Sequence, residues 1–305
     1  MKRKGAPVKR YVLLLLLLAA LSASAAIIAD VRGAITQNDF PRAAEYIRSY
    51  RAANGVTPEM LEALSWMGRG ALAQKNFEQA EKYAQETYQL SLAELKKRPL
   101  DQENHLPIAL GAAIEVEANV LAARGQRAEA ITYLEDQLKT YYATSIRTRI
   151  QKNIHLLSLE GKPAPALEGV SLRKGKPALI FFWAHWCGDC RAEAPILARI
   201  KAEFAPKGLV LIGPTQKYGY VAGGKDAPPE VELPYIEQVR QKLYADVVGA
   251  PAPVSEENFR RYGASTTPTL VLVDHAGIVR LYHPGRMTYE ELRPRIQALL
   301  KSSAS

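Results

Sequence analysis

The chain has 305 residues, 48% of them apolar, and a formal net charge of +9. That length and apolar content fit about two globular domains of roughly 100–200 residues each and exclude a disordered chain. Lys2, Arg3, Lys4, Lys9 and Arg10 precede the first acid at Asp30, so the remainder carries only +4, and no nucleic-acid partner is expected.

That basic cluster leads into "YVLLLLLLAALSASAAIIA", Tyr11 to Ala29, an almost unbroken apolar run ending in small residues. The pattern is that of an export signal. Ala23-Ser24-Ala25 resembles a cleavage site, while the run also approaches the about 20 residues that span a bilayer. Cleaved signal peptide and retained membrane anchor through residues 11–29 both fit, and residues 1–28 are set apart on either reading. No cysteine follows the run, which excludes lipid attachment there. The expected location is extracytoplasmic, in a periplasm, with the protein secreted or anchored.

Residues 29–160 carry almost no strand signals and read as successive helices. Three stretches are alike: "QNDFPRAAEYI", "QKNFEQAEKYA" and "ARGQRAEAITYL" each place an alanine and then an aromatic after a polar turn. Gly68 to Ala80 and Ala118 to Ala130 repeat one spacing, that between the small packing positions of a tetratricopeptide hairpin. The units are not evenly spaced, so a tetratricopeptide-like domain and a plain helical spacer both stay open. "EGKPAPALEG" then marks a boundary to a second domain, residues 161–305.

In that second part "PALIFFWA", Pro177 to Ala184, reads as a strand buried on both faces. "CGDCRAEAPILARIKAEFA" follows with apolar residues at Ile196, Leu197, Ile200 and Phe204, a helical period. The chain's two cysteines, Cys187 and Cys190, therefore sit at a strand-to-helix turn. A bridge between such near neighbours constrains little of the unfolded chain, so the spacing points to redox chemistry rather than a staple. Zinc would need further ligands, and the five histidines are scattered. Haem attachment would need His where Arg191 stands. No metal and no cofactor are expected. Cys187 falls at the helix N-terminus, where free N–H groups and the dipole favour thiolate, and is assigned as the attacking thiol. Cys190, one turn further in, is assigned as the resolving thiol.

"GLVLIGP", "TLVLVD" and "IVRLYH" read as further strands, the last two joined at His275-Ala276-Gly277, and "TYEELRPRIQALLK" as a closing helix. Between Pro214 and Thr266 a long segment carries one amphipathic helix around Tyr235 to Tyr244; a surface elaboration is the reading, with a loop rimming the cleft as the alternative.

"FFWAHWCGDCRAEAP" and "TTPTLVLVDHAGIVRLYHPG", in that order, resemble the thioredoxin superfamily and, within it, exported reductases of the TlpA/ResA-like family. The resemblance runs from about Pro163 to Leu300 and implies an α/β thioredoxin-like fold, here preceded by the all-α helical domain. It implies Glu193 as a proton-handling acid near the thiols and Pro268 as a cis-proline beside the site. Thr267 becomes the residue whose backbone pairs with an extended substrate, with Trp186 also at the substrate surface. Implied partners are protein disulfide clients and an upstream thiol electron donor; the helical domain, outside the resemblance, is the candidate surface for a further protein partner unless it is a plain spacer. Phe181 stands where thioredoxin has a buried aspartate, which leaves Glu193 as the candidate acid. Asp189 between the cysteines opposes a second negative charge and biases the pair toward reduction. His185 could offset this if protonated, but a solvent-facing loop histidine without a role is the expectation. The function expected is an exported thiol–disulfide oxidoreductase acting as a reductase. The alternative is a non-catalytic thioredoxin-like binding module whose cysteines form a structural disulfide. A module of that kind has no reason to keep Trp186, both thiols, Glu193 and Pro268 together.

Overall fold

The computed structural model describes residues 27–173, 175–249 and 252–301. The apolar run read as signal or anchor lies outside them up to Ala26. The chain divides into two compact units, one ending at Ile146 and the other beginning at Arg147.

The first unit is helical: α1 (residues 27–36), α2 (Phe40–Asn54), α3 (Pro58–Ala73), α4 (Phe77–Leu95), α5 (His105–Ala123) and α6 (Arg127–Thr140). The three stretches singled out in the sequence are the turns of three successive hairpins. Asn38, Lys75 and Gly125 each take a left-handed conformation, with φ of 62°, 60° and 85°. At each turn the next residue's N–H closes a bond to the carbonyl five positions back: Asp39 to Ala34, Asn76 to Ala71 and Gln126 to Leu121. This is the Schellman closure that satisfies carbonyls left open at a helix end. Asp39 and Asn76 then cap the following helix by accepting from the N–H of Arg42 and Gln79. Ala43, Ala80 and Ala130, five residues past each left-handed position, are fully buried. The uneven spacing between units arises from the connection between α4 and α5, which contains a 3-10 turn at Leu100–Gln102. By length and composition α5 could cross a membrane, yet Leu106, Leu110 and Ile114 are fully buried and it serves as the unit's core helix.

The second unit opens with α7 (Arg147–Ser158), which lies within residues 29–160, the span expected for the helical domain. Helix α7 packs on α10 (Glu256–Tyr262) and on β6 (Val279–Pro284). The central sheet has the order β2-β1-β5-β6, with β1 at Ala178–Phe182, β2 at Val210–Ile212 and β5 at Thr269–Val273. Strand β1 pairs parallel with β2 and antiparallel with β5, and β5 pairs antiparallel with β6. Both faces are covered. Leu179 and Phe181 enter one core with α8 (Gly188–Phe204) and α11 (Tyr289–Lys301), while Ala178, Ile180 and Phe182 enter the other with Phe259 and Tyr262 of α10. That two-sided burial is why β1 is a continuous apolar run. The turn after β5 is fixed by Asp274, whose Oδ1 accepts from Ala276 and Ile278 N–H.

In the long segment, α9 runs from Pro229 to Leu243, starting well before the helix expected at Tyr235. Pro229 at the first helical position lacks an N–H that would have no partner there anyway, so the proline marks the start of the helix. Helix α10 was also missed, although Ser255 caps it and Gly263 ends it at φ 59°. A short ribbon of β3 (Tyr220–Val221) and β4 (Lys225–Asp226) precedes α9.

Candidate active site

The first sulfur sits at a helix start. Cys187 is the N-cap of α8, and its Sγ accepts the Cys190 N–H at 2.9 Å. Capping holds the sulfur at the end of the helix where anions are favoured, as the sequence period implies. The two cysteines are joined in a disulfide with Cα atoms 5.2 Å apart. Cys190 is fully buried and Cys187 keeps 3% of its surface, so an incoming group meets Cys187 first. Trp186, directly before it, is 50% exposed.

The Thr267–Pro268 peptide bond is cis. The Thr267 carbonyl lies 3.4 Å from Cys187 Sγ, which puts this loop across the disulfide. Pro268 O accepts from Gly285 N–H at 2.7 Å, and the residues after Gly285 turn back toward α8. There Met287 N–H donates to the Glu193 carboxylate at 3.3 Å, and Arg286 Nε lies 3.7 Å from Glu193 Oε2. Glu193 is one turn beyond Cys190 and fully buried. Burial pushes its carboxyl up to about 7, with Met287 and Arg286 opposing. Such a group exchanges a proton near neutral pH, which suits it to acid–base work. Trp186, Cys187, Cys190 and Glu193 from one segment and Thr267 and Pro268 from another thus converge, with Arg286 and Met287 arriving from a third. Arg286 and Met287 were missed, because nothing in "HPGRMT" signals that it folds back onto an acid 94 residues away.

Phe181 packs against the Tyr244 ring, centroids 6.0 Å apart, so the position of thioredoxin's buried acid is apolar here. Asp189 is exposed in the first turn of α8.

His185 departs from expectation. Instead of facing solvent it is 4% exposed, with Nε2 3.3 Å from Glu232 Oε1 of α9 and the rings of Tyr218, Tyr220 and Tyr235 edge-on around it. Burial lowers its pKa, against the pull of Glu232, and favours the neutral ring. A fixed positive charge to offset Asp189 is therefore not supplied by this residue. The long segment is likewise no plain surface elaboration: it delivers Glu232 and Tyr218 to the loop carrying Trp186. Among the described residues no group of three or more His, Cys, Asp or Glu could hold a metal ion.

A family model, the thioredoxin-like domain, matches residues 169–300, wholly within the second unit. The chain is 33% identical over 159 residues to the thiol:disulfide interchange protein DsbE of Pseudomonas aeruginosa, covering 47% of this chain and 78% of that one. The chain belongs to the thioredoxin-like thiol:disulfide interchange proteins. It is also similar to the thioredoxin-like protein YneN of Bacillus subtilis, 27% identical over 126 residues, which covers 40% of this chain and 65% of that relative. Among solved structures, a thiol:disulfide interchange protein of the thioredoxin family from Chlorobium tepidum is 19% identical with a TM-score of 0.35, covering 46% of this chain and 99% of that one. The interchange domain is that of a thiol–disulfide oxidoreductase, and its family match leaves the helical unit uncovered.

Proposed function

We propose that this interchange protein is an exported reductase of protein disulfides, with Cys187 as attacking thiol, Cys190 as resolving thiol and Glu193 as proton acceptor. The observation that carries the reading is the buried Glu193, poised near neutral pH one turn beyond the buried Cys190. Cys187 thiolate attacks one sulfur of a client disulfide; a mixed disulfide forms and the other client sulfur leaves as thiolate. Cys190 then gives its proton to Glu193 and attacks Cys187 Sγ, so the Cys187–Cys190 bond forms and the second client thiol departs. Two electrons pass to the client, and an upstream thiol donor must return them. Trp186, Thr267 and Pro268 form the client surface, with the Thr267 backbone pairing to an extended segment. Export rests on the basic and apolar N-terminal segment, residues 1–28, as signal peptide or membrane anchor. The helical part, residues 29–160 as first divided and ending at Ile146 by compactness, acts as a tetratricopeptide-like docking module for the domain that follows. Its three like-built turns support that reading.

Cys190→Ser stops the reaction after the first step, leaving Cys187 as the chain's single thiol. Expressed with its N-terminal segment, the variant is expected to accumulate client adducts that a reducing agent releases. A variant that traps nothing, beside a wild-type pair permanently oxidised in cells, rejects the enzyme reading. The reduction potential of the pair decides direction: a value near that of thioredoxin, about −270 mV, supports a reductase and one near −120 mV an oxidase.

A further inference from the structure

Trp186, directly before Cys187, is half exposed, and its indole packs against a residue of the long segment. The Tyr218 ring stands edge-on to it, with centroids 5.5 Å apart and planes at 84°, and edge-on to His185 at 5.4 Å. Tyr218 packs against the core beside the disulfide, and Glu232 fixes its backbone. Glu232 Oε1 accepts the Tyr218 N–H, its Oε2 accepts the Gly219 N–H at 2.9 Å, and the same Oε1 lies 3.3 Å from His185 Nε2. Glu232 is 1% exposed and His185 4%. A buried carboxylate is tolerated only when its oxygens are satisfied, and here the partners come from both the active-site loop and the long segment. One acid therefore ties the two together next to the redox pair.

We propose that Glu232 is a positioning residue for client recognition: through Tyr218 it holds Trp186 as a fixed apolar wall that selects clients with an apolar side chain beside the reacting cysteine. An indole fixed before binding loses less conformational freedom when a client docks, so its orientation contributes directly to affinity. The exposed half of the indole is largely apolar, and an aromatic or aliphatic neighbour of the client cysteine is what it can bury. This inference rests on the proposed role of Cys187 as the attacking thiol.

The test uses the full chain and two disulfide peptides that differ in one position, phenylalanine or glycine beside the cysteine. Wild type is expected to favour the phenylalanine peptide in kcat/KM. Glu232→Gln replaces one accepting oxygen by an amide NH2 and Tyr218→Ala removes the ring, and each should weaken that preference by roughly three- to tenfold, chiefly through KM, as loss of one aromatic pair implies. Tyr218→Phe keeps the ring and is expected to keep the preference. Should Glu232→Gln fail to fold, Tyr218→Ala still decides, because it leaves the carboxylate's bonds to backbone N–H groups in place. Unchanged preference in Tyr218→Ala overturns the proposal, and so does an equal loss on both peptides. A wild-type protein that reduces neither peptide rejects the attacking-thiol reading, and this inference falls with it.

Discussion

Glu193 shows what burial does to one side chain. In the unfolded chain it titrates like any glutamate, near 4.5, while in the folded protein its carboxyl is pushed up to about 7. The folded state therefore binds an extra proton between those values, and stability falls as pH rises across that window. Glu193→Gln is expected to be more stable than wild type above pH 7, by up to roughly 3 kcal/mol, with the gap closing below pH 4.5. Denaturant melts at pH 5 and pH 8 measure it; a pH-independent difference would contradict the raised pKa. The same variant should slow release of a mixed disulfide by on the order of a hundredfold at pH 7.5, and lack the rise in rate through about pH 7 that is expected of wild type. Glu193 was singled out through the family resemblance, and its spacing three residues past Cys190 places it one turn further along α8. Its neighbours Arg286 and Met287 were not legible, because they arrive from beyond β6.

At the scale of elements, three helix-to-helix turns share one backbone conformation but not one residue type. Gly125 meets the positive φ without a Cβ penalty, whereas Lys75, at φ 60°, carries a side chain that a left-handed residue disfavours by about 1–2 kcal/mol. Lys75→Gly is expected to stabilise the helical unit by about 1 kcal/mol, less what glycine adds to unfolded-chain entropy, and Gly125→Ala to destabilise it by about the same amount. Thermal melts of the two variants check this, and two shifts in the same direction would show that turn conformation does not control stability here. Helix existence in this region was legible from period and composition. The start of α9 was not, because prolines at the first turn read like breakers until the helix they open is seen. Nor was α10, whose seven residues are too few to establish a period.

For the whole molecule, the division between units falls before α7 and not at the Pro/Gly-rich "EGKPAPALEG". Ile150 and Ile154 of α7 are buried in the second unit, and His155 Nε2 lies 2.8 Å from the Arg261 carbonyl of α10. Gly263, at φ 59°, lets the chain pass so close to α7 that a Cβ there would stand 2.3 Å from Lys152 N. A fragment 147–305 is thus expected to fold alone and reduce disulfides. One beginning at residue 161 should be about 3–6 kcal/mol less stable, the burial of two isoleucines. Equal melting of the two fragments would put the boundary back at the Pro/Gly stretch.

The sequence by itself determined what depends on near neighbours: strand β1, the helix after it, and two sulfurs at that helix's start, because these follow from periods of two and 3.6 residues and a three-residue spacing. The tertiary structure alone decided which groups lost water and what faced them. Glu193 titrates near neutrality because α8 and the chain after β6 enclose it, and His185 favours its neutral form because α9 and three tyrosines do. Desolvation depends on atoms from every segment packed around a group, and no local pattern carries that information.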